Sequence, residues 1–176
     1  MRLSARVDYA LRATAELAAA AANAVPAGAA AAGTAPASTA PAGAAAGRTR
    51  PVTAEQIARA QDIPPKFLES ILLQLRRGGI VHAQRGPEGG YWLARPAGEI
   101  SLAEVIRVID GPLAHVRGQR PEQLGYQGAA RALQDVWIAL RASEREILEL
   151  VTIADVAGGT LPDRVNDLAA DPKAWS

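Results

Sequence analysis

The sequence predicts a mainly α-helical fold carrying one small two-stranded wing, with a long helix toward the C-terminal end. Three observations lead there. Apolar residues recur at spacings of three and four in several stretches, the period of a helix with one buried face. Two cap signatures, Thr53-Ala54-Glu55-Gln56 and Ser101-Leu102-Ala103-Glu104, mark helix starts: the hydroxyl accepts from an orphan backbone amide while the Gln or Glu reaches back to the cap. Residues 80–95 hold two short extended segments around a Gly- and Pro-rich turn.

Leu3, Val7, Ala10, Leu11, Thr14 and Leu17 place an amphipathic helix over residues 4–21, within a segment 1–22. Residues 24–47 then contain 13 Ala, 4 Gly, 3 Pro, 3 Ser or Thr, 1 Val and no charge. Alanine favours helix, but no run free of Pro and Gly there exceeds four residues, well short of the roughly 12–15 an isolated helix needs. Residues 23–50 are therefore predicted to be a flexible linker with a random-coil span of roughly 25–30 Å. The Thr53 cap opens a short helix that Gln61-Asp62-Ile63-Pro64 breaks. Pro65 can begin the next helix, because its missing amide hydrogen costs nothing in a first turn. That helix carries Phe67, Leu68, Ile71, Leu72 and Leu75 on one side and stops at Gly78-Gly79. A hairpin follows, with strands at 80–85 and 91–95 and a turn at 86–90, completing a unit of residues 51–96. The Ser101 cap starts a helix to Asp110, before Gly111-Pro112, inside a connecting segment 97–126.

Over residues 127–154, Leu133, Trp137, Leu140, Glu144, Ile147, Val151 and Ala154 alternate steps of four and three. This predicts one helix of roughly 39 Å within a segment 127–157. So long a helix is read as a seam against a second copy, formed by Leu133, Trp137, Leu140, Ile147 and Val151; packing on the chain's own first helix is the alternative. Segment 158–176 is expected to be a fraying tail.

The 176 residues carry 19 Lys and Arg against 18 Asp and Glu, a formal net charge of +1 that hides an asymmetry. Residues 1–95 hold 11 basic and 6 acidic side chains, and residues 96–176 hold 8 and 12. A basic front half suits a polyanionic partner. There is no cysteine, which removes disulfides, thiol catalysis, Cys-ligated zinc and all-cysteine iron–sulfur clusters, and His82 and His115 are too few for a His-rich metal site. No metal or other cofactor is expected. No apolar run approaches the roughly 18 residues of a membrane span, and Met1-Arg2-Leu3-Ser4-Ala5-Arg6 leads into a charged helix, not a signal core. The expectation is a soluble cytoplasmic protein with no membrane contact.

Helix, short helix, tight turn, helix and two-stranded wing, in that order, describe a winged helix-turn-helix. Its second turn helix fits the major groove of double-stranded DNA, and its wing reaches phosphates or the minor groove. Lys66 and Glu69 lie in the first turns of that helix, the end that meets base edges, although Glu69 also reads as a solvated acid. Arg76 and Arg77 lie at its far end, where they can hold phosphates or cover the helix flank. Arg85 sits at the wing tip beside Gly86, whose missing side chain lets a phosphate or groove wall approach. Asp8 and His115 read as a surface acid and an exposed loop residue.

The chain resembles the Rrf2 family of bacterial transcription regulators. The resemblance rests on Met1-Arg2-Leu3-Ser4 with Tyr9-Ala10-Leu11, on Phe67-Leu68-Glu69 with Leu75-Arg76, and most specifically on Arg85-Gly86-Pro87-Glu88-Gly89-Gly90-Tyr91. Leu93-Ala94-Arg95-Pro96, Asp110-Gly111-Pro112 and Val151-Thr152-Ile153-Ala154-Asp155-Val156 fit as well. Outside the linker it covers about residues 1–22 and 51–157. It implies a homodimer gripping a near-palindromic operator, usually to repress. Base contacts would come from Lys66 and Glu69, and backbone or minor-groove contacts from Arg2, Arg76, Arg85 and Gly86. The sequence departs from the family in two places. Many members hold an iron–sulfur cluster through three cysteines after the Gly-Pro pair, and here residues 113–121 contain none. The linker replaces what is usually a short turn; loop-closure entropy grows only slowly with length, so the motif survives.

The leading expectation is a cluster-free, sequence-specific DNA-binding regulator acting as a homodimer. The alternative is a winged-helix interaction module that docks a protein partner and binds DNA weakly. An unknown small ligand, if there is one, is placed near residues 111–126. RNA stacking is disfavoured, since the chain has seven aromatics and Phe67, Tyr9 and Trp137 read as core. An enzyme is not expected: no acids pair, neither His has a nucleophile, and residues 86–90 sit in a hairpin, not between a strand and a helix.

Overall fold

The computed structural model describes residues 3–24, 51–113 and 115–175. Arg2 and all but the first two residues of the predicted linker lie outside the described residues. The main elements in chain order are α1 (Ala5–Ala24), α2 (Ala54–Gln61), α3 (Pro65–Arg77), β1 (Val81–Gln84), β2 (Gly90–Leu93), α4 (Leu102–Asp110), α5 (Leu133–Leu150), α6 (Ile153–Gly158) and α7 (Asp163–Ala170). No helix among the described residues is long and apolar enough to cross a membrane.

α1 begins where the Ser4 hydroxyl accepts from the Val7 amide at 3.2 Å. Its buried face is Val7, Ala10, Ala13, Thr14, Leu17 and Ala18. These mostly small side chains let neighbours approach closely, and α2, α3, β2, α4 and α6 all pack on this helix. Thr14 is fully buried, and its hydroxyl donates to the Ala10 carbonyl at 3.0 Å, leaving no orphan. Around α1 the core gathers Ile57, Leu68, Ile71, Leu72, Leu75, Ile80, Val105 and Ile153.

Both predicted caps form. The Thr53 hydroxyl accepts from the Gln56 amide at 3.2 Å while Gln56 Oε1 accepts from the Thr53 amide at 2.9 Å, and Ser101 and Glu104 repeat the arrangement. α2 ends with Asp62 in the left-handed region (φ 49°), a conformation Asp tolerates better than most residues. That reversal makes the tight turn into α3, which starts at Pro65. At the far end, a Cβ on Gly78 would lie 2.6 Å from a Val108 methyl, so glycine there permits α3 and α4 to touch. β1 and β2 pair antiparallel with Val81 opposite Leu93 and His82 opposite Trp92, and Val52 adds a further pair of backbone bonds to Tyr91.

The C-terminal half corrects three expectations. The helix predicted over 127–154 is confined to Leu133–Leu150, about 27 Å for its 18 residues. Before it, Gly128 (φ +59°) and a 3-10 turn at Gly128–Ala130 interrupt the backbone. After it, Val151 is extended and Thr152 caps a separate helix: its hydroxyl accepts from the Asp155 amide, and Asp155 Oδ2 accepts from the Thr152 amide at 2.8 Å. The Leu102 amide donates to the Val151 carbonyl and the Ile153 amide to the Ile100 carbonyl, tying the caps of α4 and α6 side by side. Val151 is only 2% exposed and sits among the chain's own core residues. It is therefore not free to line an intermolecular seam, and Ala154 belongs to α6. The segment expected to be a tail carries a helix instead: α7 follows Pro162, and Arg164 reaches Glu146 on α5 at 3.6 Å.

Candidate nucleic-acid interface

α3 buries Leu68, Ile71, Leu72 and Leu75 and leaves its opposite side bare. At about 100° per residue, Lys66, Ser70, Leu73 and Arg77 form a stripe directly away from the core, and all four are exposed. Glu69 and Arg76 flank it on one side, Phe67 on the other; these are exposed as well. Phe67 corrects the sequence reading. It is 55% exposed and not core, because it lies one residue, and so a large rotation, off the Leu68–Leu75 line. Its ring stands 6.5 Å from that of Tyr9, which carries the Arg12 guanidinium 5.6 Å from its centroid. Tyr9 and Trp137 are half-buried.

On the wing, Arg85 and Gly86 are exposed at the end of β1. Gly86 has φ +107° and open space where a side chain would project, so its backbone conformation, not crowding, requires glycine. The turn is closed by the Gly89 amide donating to the Gly86 carbonyl at 2.9 Å. α3 and β1 pack directly on each other, which fixes the wing to the helix.

The electrostatics of this surface are distinctive. Among the described residues, the side chains of Lys66, Glu69, Arg76, Arg77 and Arg85 form no ion pair or hydrogen bond. Elsewhere, by contrast, Arg12 pairs with Asp8 at 3.1 Å and Arg95 with Glu104 at 2.9 Å. The head thus keeps four cations unneutralised on one helix and the adjoining wing, available to phosphates. Arg2, the remaining predicted contact, lies outside the described residues. Sequence reasoning overlooked Ser70 and Leu73, although the 66-70-73-77 spacing marks them as outward. It also overlooked the brace from Arg6 Nη2 to Gln74 Oε1 (2.6 Å), which joins α1 to α3 across 68 positions and has no local signal. Asp8 and His115 are exposed, as expected.

Of the predicted dimer residues, Leu133 and Leu140 are 40% and 47% exposed, with Val136 beside them at 52%, while Trp137 and Ile147 are half-buried. None of the 18 residues of α5 is buried. The Trp137 indole donates to the Tyr126 hydroxyl at 3.1 Å.

A family model described as "Rrf2: Iron-dependent Transcriptional regulator" matches residues 43–159. An HTH-type transcriptional regulator of Mycobacterium tuberculosis is 47% identical over 174 residues, 99% of this chain and 92% of that protein. The HTH-type transcriptional regulator CymR of Bacillus subtilis is 30% identical over 110 residues, 62% of this chain and 75% of that one. Among solved structures, CymR, titled the global cysteine regulator of B. subtilis, superposes with a TM-score of 0.65 at 25% identity, over 91% of this chain and 98% of that one. T. potens IscR superposes with a TM-score of 0.61 at 23% identity, over 100% and 97%. The donor set here does not fit a thiolate-held iron centre: the chain has no cysteine, and no three His, Cys, Asp or Glu gather for a metal among the described residues.

Proposed function

Because this chain belongs to the Rrf2 family of DNA-binding transcriptional regulators, and is therefore no enzyme, we propose that it works in the cytoplasm as a cluster-free homodimer repressing from a near-palindromic operator. The observation that carries the reading is the unneutralised outward face of α3 with the wing: Lys66 and Glu69 at the base-reading end, Arg76, Arg77, Arg85 and Gly86 at the backbone. Arg2 would add a backbone contact. Ser70 and Leu73, between the two ends, suit a groove floor, a hydroxyl serving either base edge and an apolar group a thymine methyl.

The homodimer reading is supported by α5. Fully burying a Leu or Val side chain is worth about 1.5–3 kcal/mol, and the half-exposed Leu133, Val136 and Leu140 leave part of that gain unclaimed along one side of α5, with Trp137 and Ile147 adjoining. A second copy of the same helix claims it symmetrically. Two heads about a two-fold axis then require half-sites roughly 10 base pairs apart.

Selection of bound fragments from random duplex DNA with the purified protein tests both parts. Enrichment of a two-fold symmetric motif with that spacing is the expected result. Enrichment of one asymmetric half-site overturns the dimer, and no enrichment overturns sequence-specific reading.

A further inference from the structure

Behind the head, four arginines from three parts of the chain converge on a cavity of about 370 Å³: Arg107 from α4, Arg120 from the loop after it, and Arg141 and Arg145 from α5, over Pro112 and Leu113. Their charges are only partly matched among the described residues. Arg107 and Arg145 share one carboxylate, Glu149, which their hydrogen bonds, Arg107 foremost, hold below the usual carboxylate range. Arg141 pairs with Glu122, Nη1 lying 2.6 Å from Oε2, yet its side chain is only 17% exposed and its Nε is buried with no acceptor among the described residues. Arg120 has no acidic partner among the described residues. Among the described residues two carboxylates, Glu149 and Glu122, pair with three of the four guanidinium groups, and Glu144 on α5 adds a buried carboxylate oxygen with no hydrogen-bond partner. Like charges held this close repel unless an anion sits among them, and guanidinium forks match carboxylate and phosphate oxygens two at a time.

The geometry points to an effector site for a compact small-molecule polyanion, bearing phosphoryl or carboxylate oxygens, held between α4 and α5. At about 370 Å³ the cavity suits a small molecule, and Arg107, Arg120, Arg141 and Arg145 all line it. Its consequence follows from packing. α4 lies against α3 on one side and α5 on the other. An anion drawing Arg107, Arg120, Arg141 and Arg145 together therefore sets the angle between the DNA-reading helix and the helix proposed to dimerise. That regulatory consequence rests on the function proposed above; the binding itself does not.

The test uses the full-length chain and calorimetric titration without DNA, with sodium pyrophosphate as the phosphoryl probe and citrate as the carboxylate probe, each against chloride at matched ionic strength. Saturable binding of one probe per chain is expected. Preference for pyrophosphate or for citrate assigns the ligand to phosphoryl or carboxylate chemistry. Arg141→Gln risks the fold, because that side chain is mostly covered; Arg120→Gln and Arg145→Gln change exposed groups and should each weaken binding about tenfold, the loss of a charge-assisted contact. Absence of saturable binding by either probe overturns the proposal, as does equal binding by both variants. So does a loss of DNA affinity in Arg120→Gln as large as that in Arg85→Ala, since the cleft would then be part of the nucleic-acid surface. Probe binding by a protein that ignores duplex DNA would sink the function reading and leave this site standing.

Discussion

Lys66 and Gly78 sit at opposite ends of one helix and do opposite work, one reaching outward and one permitting contact inward. Lys66 has no partner among the described side chains, and under the proposed function its place in the first turn would aim it at base edges. Lys66→Ala is expected to change which base is preferred at one position of each half-site more than it lowers affinity for unrelated duplexes; competition binding with single-base operator variants measures this, and a uniform loss across all of them would contradict it. Gly78→Ala would push a methyl onto Val108 and should cost about 1–3 kcal/mol. Urea denaturation checks it, with Gly78→Ala/Val108→Ala recovering part of the loss. At this scale, position was the legible signal: Lys66, Arg76, Arg77 and Arg85, all four exposed, could be marked from their places on the second turn helix and at the wing tip. Phe67 could not, since an aromatic beside Leu68 reads as core until the helix phase is known to within one residue.

Among the elements, α6 shows how a cap can overrule a periodic pattern. The apolar spacing runs unbroken through Ile147, Val151 and Ala154, but Thr152 and Asp155 satisfy the first amides of a new helix and Val151 turns inward. The T-x-x-D signature was present in the chain and was outweighed by periodicity, which reports the face and not the continuity of a helix. The caps at Thr53 and Ser101 were legible for the same reason this one was missed: nothing periodic ran across them. Thr152→Ala should cost about 1 kcal/mol in denaturant unfolding. The Thr152 amide and hydroxyl donate to Asp155 and hold its carboxyl below the usual carboxylate range. A group so lowered contributes stability in full above its unfolded-state value, and loses it as pH falls through the lowered one. Stability should therefore decline on acidification below the ordinary carboxylate range, and Asp155→Asn should flatten that part of the curve, as unfolding free energies measured across the acid limb will show.

At the level of the whole molecule, the basic front half carries a face on α3 and the wing whose cations pair with no described side chain, and the acidic back half a cleft where Arg107, Arg141 and Arg145 are bridged by glutamates. Composition displays that split; it does not display the Arg107–Arg145 cleft, whose members lie up to 38 positions apart and meet only when α5 folds back on α4. If α5 carries the dimer, Leu133→Ser/Leu140→Ser should yield monomers by sedimentation at concentrations where the parent is dimeric, with the helical content kept. The central claim is that α3 and the wing lie along duplex DNA, and salt titration of binding by the parent and by Arg76→Ala/Arg85→Ala tests it most directly. Each lost phosphate contact removes about 0.9 from the slope of log affinity against log salt. The account predicts weaker binding to every duplex and a slope shallower by about 1.8 for the double variant. Unchanged affinity and an unchanged slope would contradict it.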